Sequence, residues 1–183
     1  MNIAVFCGAS LGNNSGYANL AKELGTKLAT QGHTLVYGGG HTGLMGVIAD
    51  SALKAGGQVY GVIPDALVKK EVAHPGLTQL FVVKDMHQRK AKMAELAEGF
   101  VALPGGIGTL EEIFEVWTWS YLDYHKKPAI FLNALGYYEQ LFGFLAHTEQ
   151  EGFVSAYSRG LVSLEDTVDE ALLSLSKSHH SAM

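Results

Sequence analysis

Short apolar runs recur along the chain, each closed by glycines or a turn and followed by a stretch whose apolar residues fall at helical spacing. Runs rich in Val, Ile, Leu and Phe predict strands at Asn2–Gly8, His33–Tyr37, Gln58–Ile63, Leu80–Val83, Gly99–Leu103 and Pro128–Leu132, with a weaker one at Leu161–Ser163. Between them, apolar residues three and four apart predict helices near Tyr17–Gln31, Leu44–Ala55, Met86–Ala97, Leu110–Leu122, Tyr137–Glu151 and Val168–Ser176. Near-continuous apolar strands alternating with helices predict an α/β fold, a doubly wound parallel sheet with helices on both faces. No linker or repeat interrupts the pattern, so residues 1–176 are expected to form one domain. Residues 177–183, which include His179 and His180, are expected to be a frayed, disordered tail.

Ligands of such sheets bind beyond the carboxyl ends of the strands, near the point where strand order reverses. Three glycine-bearing segments fall there. Cys7-Gly8-Ala9-Ser10 follows the first strand, Gly38-Gly39-Gly40-His41-Thr42-Gly43 the second, and Pro104-Gly105-Gly106-Ile107-Gly108-Thr109 the fifth. Glycine loops let backbone N–H groups approach an anion such as a phosphate. The second loop matches GxGxxG through Gly38, Gly40 and Gly43, with Asp65 about twenty residues on, as in a dinucleotide site. That fingerprint usually follows the strand that opens the unit, and it leaves the third loop without a task. The third loop runs into Leu110-Glu111-Glu112, whose carboxylates would repel an anion unless they have other work. Thr109 and Glu112 have the spacing of a capping box, which would account for both without any chemistry. A carboxylate one turn into that helix would instead face the sugar of a phosphate ester held by the loop.

Composition narrows the partners. The chain has 183 residues and a net charge of −5, with no long basic run, which argues against nucleic acid as the main partner. The cluster Arg89-Lys90-Ala91-Lys92 can hold one small anion. A single cysteine, Cys7, excludes an internal disulfide and fits a reducing compartment. No apolar stretch approaches the ~20 residues of a membrane span, and the start, MNIAVFCGAS, lacks the features of a signal peptide. A cytoplasmic location and no membrane contact are expected. Cys7 has no legible His/Asn partner and reads as an inert buried thiol. His74, His87 and His125 lack metal-ligand spacing, so no metal is expected. Trp117 and Trp119 flank Thr118 on an apolar helix that reads as core or subunit interface.

The segment PGGIGTLEE fits the pattern PGGxGTxxE. With DMHQRKAKM (Asp85–Met93), YGGGHTGLMG (Tyr37–Gly46), the Cys7–Ser10 turn and Glu71, the chain resembles the LOG family of cytokinin riboside 5′-monophosphate phosphoribohydrolases over about residues 2 to 172. The resemblance implies a Rossmann-like homodimer, without cofactor, that hydrolyses the N-glycosidic bond of a purine nucleoside 5′-monophosphate, AMP or an N6-substituted form. It implies that Arg89 and Glu112 are the catalytic pair and that Gly105, Gly106, Gly108 and Thr109 hold the 5′-phosphate. Ile107 and Leu110 belong to the same binding segment, while Glu71, Lys90, Glu111 and Thr118 complete the substrate pocket. Gly8, Ser10, Gly39, Gly40, Gly43 and Met86 are expected to line it. His41-Thr42 and Ile107 are less typical of the family and bear on substrate preference. Members often carry a lysine decarboxylase label, yet no lysine here sits in a recognisable pyridoxal-phosphate site.

The implied chemistry suits these residue types. Breaking the C1′–N9 bond builds positive charge on the ribose. A carboxylate such as Glu112 stabilises that charge, activates water or attacks the anomeric carbon. Arg89 offers a permanent fork of donors to the phosphate or the departing base. Two other readings stand beside this one. A non-catalytic nucleotide carrier would keep the glycine cradles but could dispense with Arg89 and Glu112 together. An NAD-linked oxidoreductase would use the second loop alone.

Overall fold

The computed structural model describes residues 1–68 and 73–182, with side chains through residue 177. Seven strands, β1 (Asn2–Phe6), β2 (Thr34–Tyr37), β3 (Val59–Pro64), β4 (Gln79–Val83), β5 (Gly99–Ala102), β6 (Ala129–Leu132) and β7 (Val162–Glu165), form one sheet in the order β4-β3-β2-β1-β5-β6-β7. Every pairing is parallel, as residues apolar on both sides require. The long helices are α1 (Ser15–Thr30), α2 (Gly43–Lys54), α4 (Met86–Leu96), α5 (Ile107–Tyr121), α6 (Glu139–Gln150) and α8 (Val168–Ala182). Two short helices, α3 (Asp65–Val68) and α7 (Ala156–Arg159), and a 3-10 turn at Ala134–Gly136 complete the order. The sequence pattern did not announce these three, each under five residues. It also ended the last helix at Ser176, whereas α8 continues to Ala182.

Alternate strand residues feed two cores. Ile3, Val5, Leu35, Tyr37, Val101 and Leu103 face α1, α2 and α8, whereas Ala4, Phe6, Val36, Phe100 and Ala102 face α4, α5 and α6. This alternation is the period-2 geometry of a strand buried on both faces. α1 and α2 cross closely because Gly25 has no side chain; a Cβ there would lie 2.5 Å from the Ile48 carbonyl oxygen. The chain builds outward from β1 to β4 and then returns to β5 on β1's other side, so the switch point lies between β1 and β5. There Phe6 and Ala102 are register partners. The first and third glycine loops leave from the carboxyl ends of these two strands.

Candidate functional site

The three glycine loops meet at one sheet edge, as the sequence predicted. Gly8 N–H donates to the Pro104 carbonyl at 3.1 Å, and Leu44 N–H donates to the Gly8 carbonyl at 3.0 Å. The contacts are too close for side chains. A Cβ on Gly105 would lie 2.1 Å from Thr109 Oγ1 and 2.9 Å from Gly8 N, and one on Gly43 would lie 2.2 Å from the Ala9 carbonyl carbon. Gly43 also has φ +59°, a backbone that glycine tolerates best. A cavity of about 220 Å³ opens beside them; Gly8, Ser10, Leu44, Pro104, Gly105 and Gly106 line it together with Leu11, Gly12, Tyr17 and Tyr137.

The second loop is not an open cradle. Its Gly39 carbonyl accepts from His74 N–H at 3.0 Å, and Gly40 forms an antiparallel bridge with Ala73. Gly38, Gly39 and Gly40 are buried, and Gly39 and Gly40 are absent from the lining of the cavity. The GxGxxG match thus marks close backbone packing, and the dinucleotide reading loses its support.

α5 begins at Ile107 with Gly106 as its N-cap, and no side chain caps it. Thr109 and Glu112 therefore sit inside the helix, three and six residues past the cap, and do not form the capping box their spacing suggested. Leu110 N–H already bonds to the Gly106 carbonyl at 3.1 Å. The N–H groups of Ile107, Gly108 and Thr109 precede the first intrahelical bond, and with the helix dipole they favour an anion. Thr109 is buried at 4% exposure, while Ile107 projects at 87%.

Arg89 and Lys90 come from α4, which starts at an Asp85 cap whose side chain accepts from Gln88 N–H. Arg89 is 5% exposed. Its Nε donates to the Val62 carbonyl at 3.2 Å and its Nη2 to the Gly38 carbonyl at 3.0 Å, so the guanidinium spans the ends of β3 and β2. Met86 Sδ lies 3.7 Å from Nη1. Lys90 Nζ bonds to Glu111 and, at 3.1 Å, to Glu115. Burial lowers the Lys90 pKa, but the two carboxylates outweigh it and the net shift is upward. A lysine so held stays charged and is a poor amine for a Schiff base. Glu112 is half-buried on α5, the helix that follows the third loop. Burial pushes the Cys7 thiol far up, the Glu112 charge pushes it further, and the Arg89 charge pulls it down. Cys7, buried at the end of β1, stays a neutral thiol.

Two other expected site residues are not part of this arrangement as described. Glu71 falls outside the described residues. Thr118 is exposed, gives its hydroxyl proton to the Phe114 carbonyl at 2.7 Å, and borders a separate cavity with Trp117, Tyr121 and Leu145. His87 is exposed on α4, and His125 packs against Phe100 at 5.4 Å between ring centroids.

Sequence spacing missed one cluster. Donor atoms of His41, Asp50 and His74 lie within 4.8 Å of one another, so His74 does have neighbours of metal-ligand type. Its tautomer argues against that use. Gly76 N–H donates to His74 Nδ1 at 3.1 Å, so the proton resides on Nε2, which donates to Asp50 Oδ1 at 2.9 Å. A metal would need the Nε2 lone pair, hence the opposite tautomer. The group instead latches the Ala73–Gly76 segment to the second loop and α2.

A family model described as "Possible lysine decarboxylase" matches residues 45–175. A cytokinin riboside 5′-monophosphate phosphoribohydrolase of Rhodococcoides fascians is 47% identical over 175 residues, 95% of this chain and 88% of that protein. One from Arabidopsis thaliana is 47% identical over 160 residues, 87% of this chain and 75% of that protein. Among solved structures, the Moco carrier protein of Chlamydomonas reinhardtii has a TM-score of 0.74 at 23% identity, covering 98% of each chain. At that identity the likeness shows a shared fold.

Proposed function

We propose, from the premise that this chain belongs to the LOG family of cytokinin riboside 5′-monophosphate phosphoribohydrolases, that it hydrolyses a purine nucleoside 5′-monophosphate to free base and ribose 5-phosphate. The observation that carries this reading is a pinned cation, Arg89 at the ends of β2 and β3, and a half-buried carboxylate, Glu112, on the helix whose start is of the anion-binding type, all at one edge of the sheet. A carrier needs the cradle alone.

In this reading the 5′-phosphate sits on the N–H groups of Ile107, Gly108 and Thr109, which places the ribose over the first turns of α5. Glu111 is neutralised by Lys90, which leaves Glu112 as the acid that meets the charge developing at C1′. It does so electrostatically, through an activated water, or by direct attack. Arg89 is fixed by two backbone carbonyls, so it presents charge to the phosphate or the departing purine without reorganising. His41, at the rim of the second loop, and Ile107 bear on which purine is preferred.

The same reading includes a homodimer. Tyr121, Leu122 and Tyr124 follow one another out of α5 with exposures of 49%, 50% and 76%, an apolar surface that a second copy would cover. Thr118 stands on this side of α5, where it would serve the partner's site rather than its own. Light scattering that shows monomer alone at micromolar concentration would refute the dimer. A reducing, cytoplasmic location suits a chain whose single cysteine is buried. Among the described residues no helix is long and apolar enough to cross a membrane.

The direct test is incubation with AMP and with an N6-isoprenoid AMP, followed by chromatography for the free base and ribose 5-phosphate. Release of base from either supports the hydrolase. Both nucleotides bound but intact would favour the carrier.

A further inference from the structure

We propose that Tyr137 is a positioning residue that turns the Gly105–Gly106 peptide so that its N–H faces a bound phosphate, a role that rests on the reading of this loop as the phosphate site. Tyr137 Oη donates to the Gly105 carbonyl at 2.6 Å. The peptide is planar and trans, so its N–H points opposite to its carbonyl. Holding the Gly105 oxygen on Tyr137 therefore fixes the Gly106 N–H on the opposite side of the peptide.

The neighbouring carbonyls are treated alike. Pro104's accepts from Gly8 N–H at 3.1 Å, and Leu103's from Tyr138 Oη at 2.7 Å. Three successive carbonyls are thus each held by a donor, and the N–H groups of Gly105 and Gly106, on the opposite sides of their peptides from the held oxygens, continue the run that Ile107, Gly108 and Thr109 complete. The Gly105–Gly106 peptide most needs a pin. It is flanked by two residues without Cβ atoms, so no side chain resists its flipping. A flip would place a carbonyl oxygen where an anion must sit.

The fold delivers Tyr137 at some conformational cost. Leu135 adopts φ +62°, a left-handed conformation that is unfavourable for a leucine, and Gly136 follows at φ +68°. Leu135 is held there by contact with Gly16 of α1, where a Cβ would lie 2.6 Å from Leu135 Cδ1. Buried Asn133 fixes the other side of the turn. Its Nδ2 donates to Asp166 at 2.9 Å and its Oδ1 accepts from Tyr138 N–H at 2.8 Å. The Tyr137 ring rests edge-on against Tyr17 and Tyr138, with centroids 5.6 Å and 4.9 Å away. Two consecutive phenols are thereby set on one loop, yet Tyr137 remains 40% exposed and lines the cavity.

The test is Tyr137→Phe, which keeps the ring contacts and removes the hydroxyl. Inorganic phosphate binding is measured by calorimetry and AMP hydrolysis by steady-state kinetics, with melting temperature alongside. Loss of one neutral hydrogen bond predicts about a 3- to 10-fold rise in the Kd for phosphate and in KM for AMP, with kcat within about twofold. Unchanged phosphate affinity would overturn the proposal, as would a fall in kcat as large as the rise in KM. A wild-type protein that binds no phosphate would overturn it too. A wild type that binds phosphate but leaves AMP intact would instead defeat the hydrolase reading, and the phosphate measurement would still decide the role of Tyr137.

Discussion

Replacing Gly38 with alanine tests whether Arg89 works by being held in one place. The new Cβ would lie 2.0 Å from Arg89 Nη2, 3.0 Å from Cζ and 3.3 Å from Met45 Sδ. Ordinary contact begins near 3.4 Å, so Nη2 must retreat by about 1.4 Å, the difference between 3.4 and 2.0. That movement breaks the 3.0 Å bond to the Gly38 carbonyl and disturbs the 3.2 Å bond from Nε to Val62. A hydrogen bond to a charged group is worth about 1.5–3 kcal/mol. Gly38 is not in the left-handed region, so alanine fits its backbone. With space available, the exchange would stabilise the fold by about 0.4–1 kcal/mol. The steric term should win, and the melting temperature should fall. Misplacing a catalytic group by ~1 Å costs on the order of a hundredfold in rate. The assay is kcat/KM for AMP with thermal melting on the same preparation. A Gly38→Ala protein within about threefold of wild-type activity would refute the claim that Arg89 must stay pinned.

Lys90→Met should lower the melting temperature by about 2–4 °C at pH 8, the effect of ~1 kcal/mol in a chain of this size, because Glu111 and Glu115 lose their shared cation. The folded pKa of Lys90 lies above its ordinary 10.5, so its contribution is full below that pH and fades as pH rises through the folded value. The difference between wild type and variant should therefore be constant from pH 7 to 10 and shrink above; a difference that grows with alkali would contradict the pairing. Asp50→Ala should lower the melting temperature by about 2–10 °C, since buried His74 loses the acceptor of its Nε2 proton. Asp50→Asn keeps an acceptor and should melt near wild type; equal damage from both would mean that the negative charge is what matters.

The inner strands were legible because each is a short apolar run buried on both faces; the edge strands β4 and β7 are largely exposed or half-buried and read more weakly, yet all seven fall within a few residues of their predicted bounds. The convergence of the glycine loops was legible for the same reason, since parallel strands put all their carboxyl ends on one edge. The start of α5 was not. Ile107 and Gly108 are poor openers for a free-standing helix, and Gly106 caps it without a side chain. The Thr109–Glu112 spacing therefore suggested a later start and a capping box. Tyr137 read as the first residue of a helix, whereas it precedes α6 and reaches back to the third loop. No local pattern announces that contact, which depends on a leucine in a left-handed turn. The His41–Asp50–His74 latch was equally hidden, because it joins a loop, a helix and a segment 33 residues from His41 in sequence. Arg89 and Glu112 were singled out by family resemblance; nothing in their local spacing distinguishes them from solvated charges on amphipathic helices.

The most direct measurement is turnover of AMP by Glu112→Gln, with melting temperature and AMP affinity recorded on the same preparation. Glu112 lies six residues past the α5 cap, so the amide removes no helix cap and the protein should melt near wild type. AMP should still bind, because the proposed phosphate contacts come from Gly105–Thr109. Without the carboxylate charge at C1′, the rate should fall at least about a hundredfold, equivalent to roughly 3 kcal/mol of transition-state stabilisation. A folded, AMP-binding Glu112→Gln protein that hydrolyses at near wild-type rate would contradict the assignment of Glu112 to the chemistry.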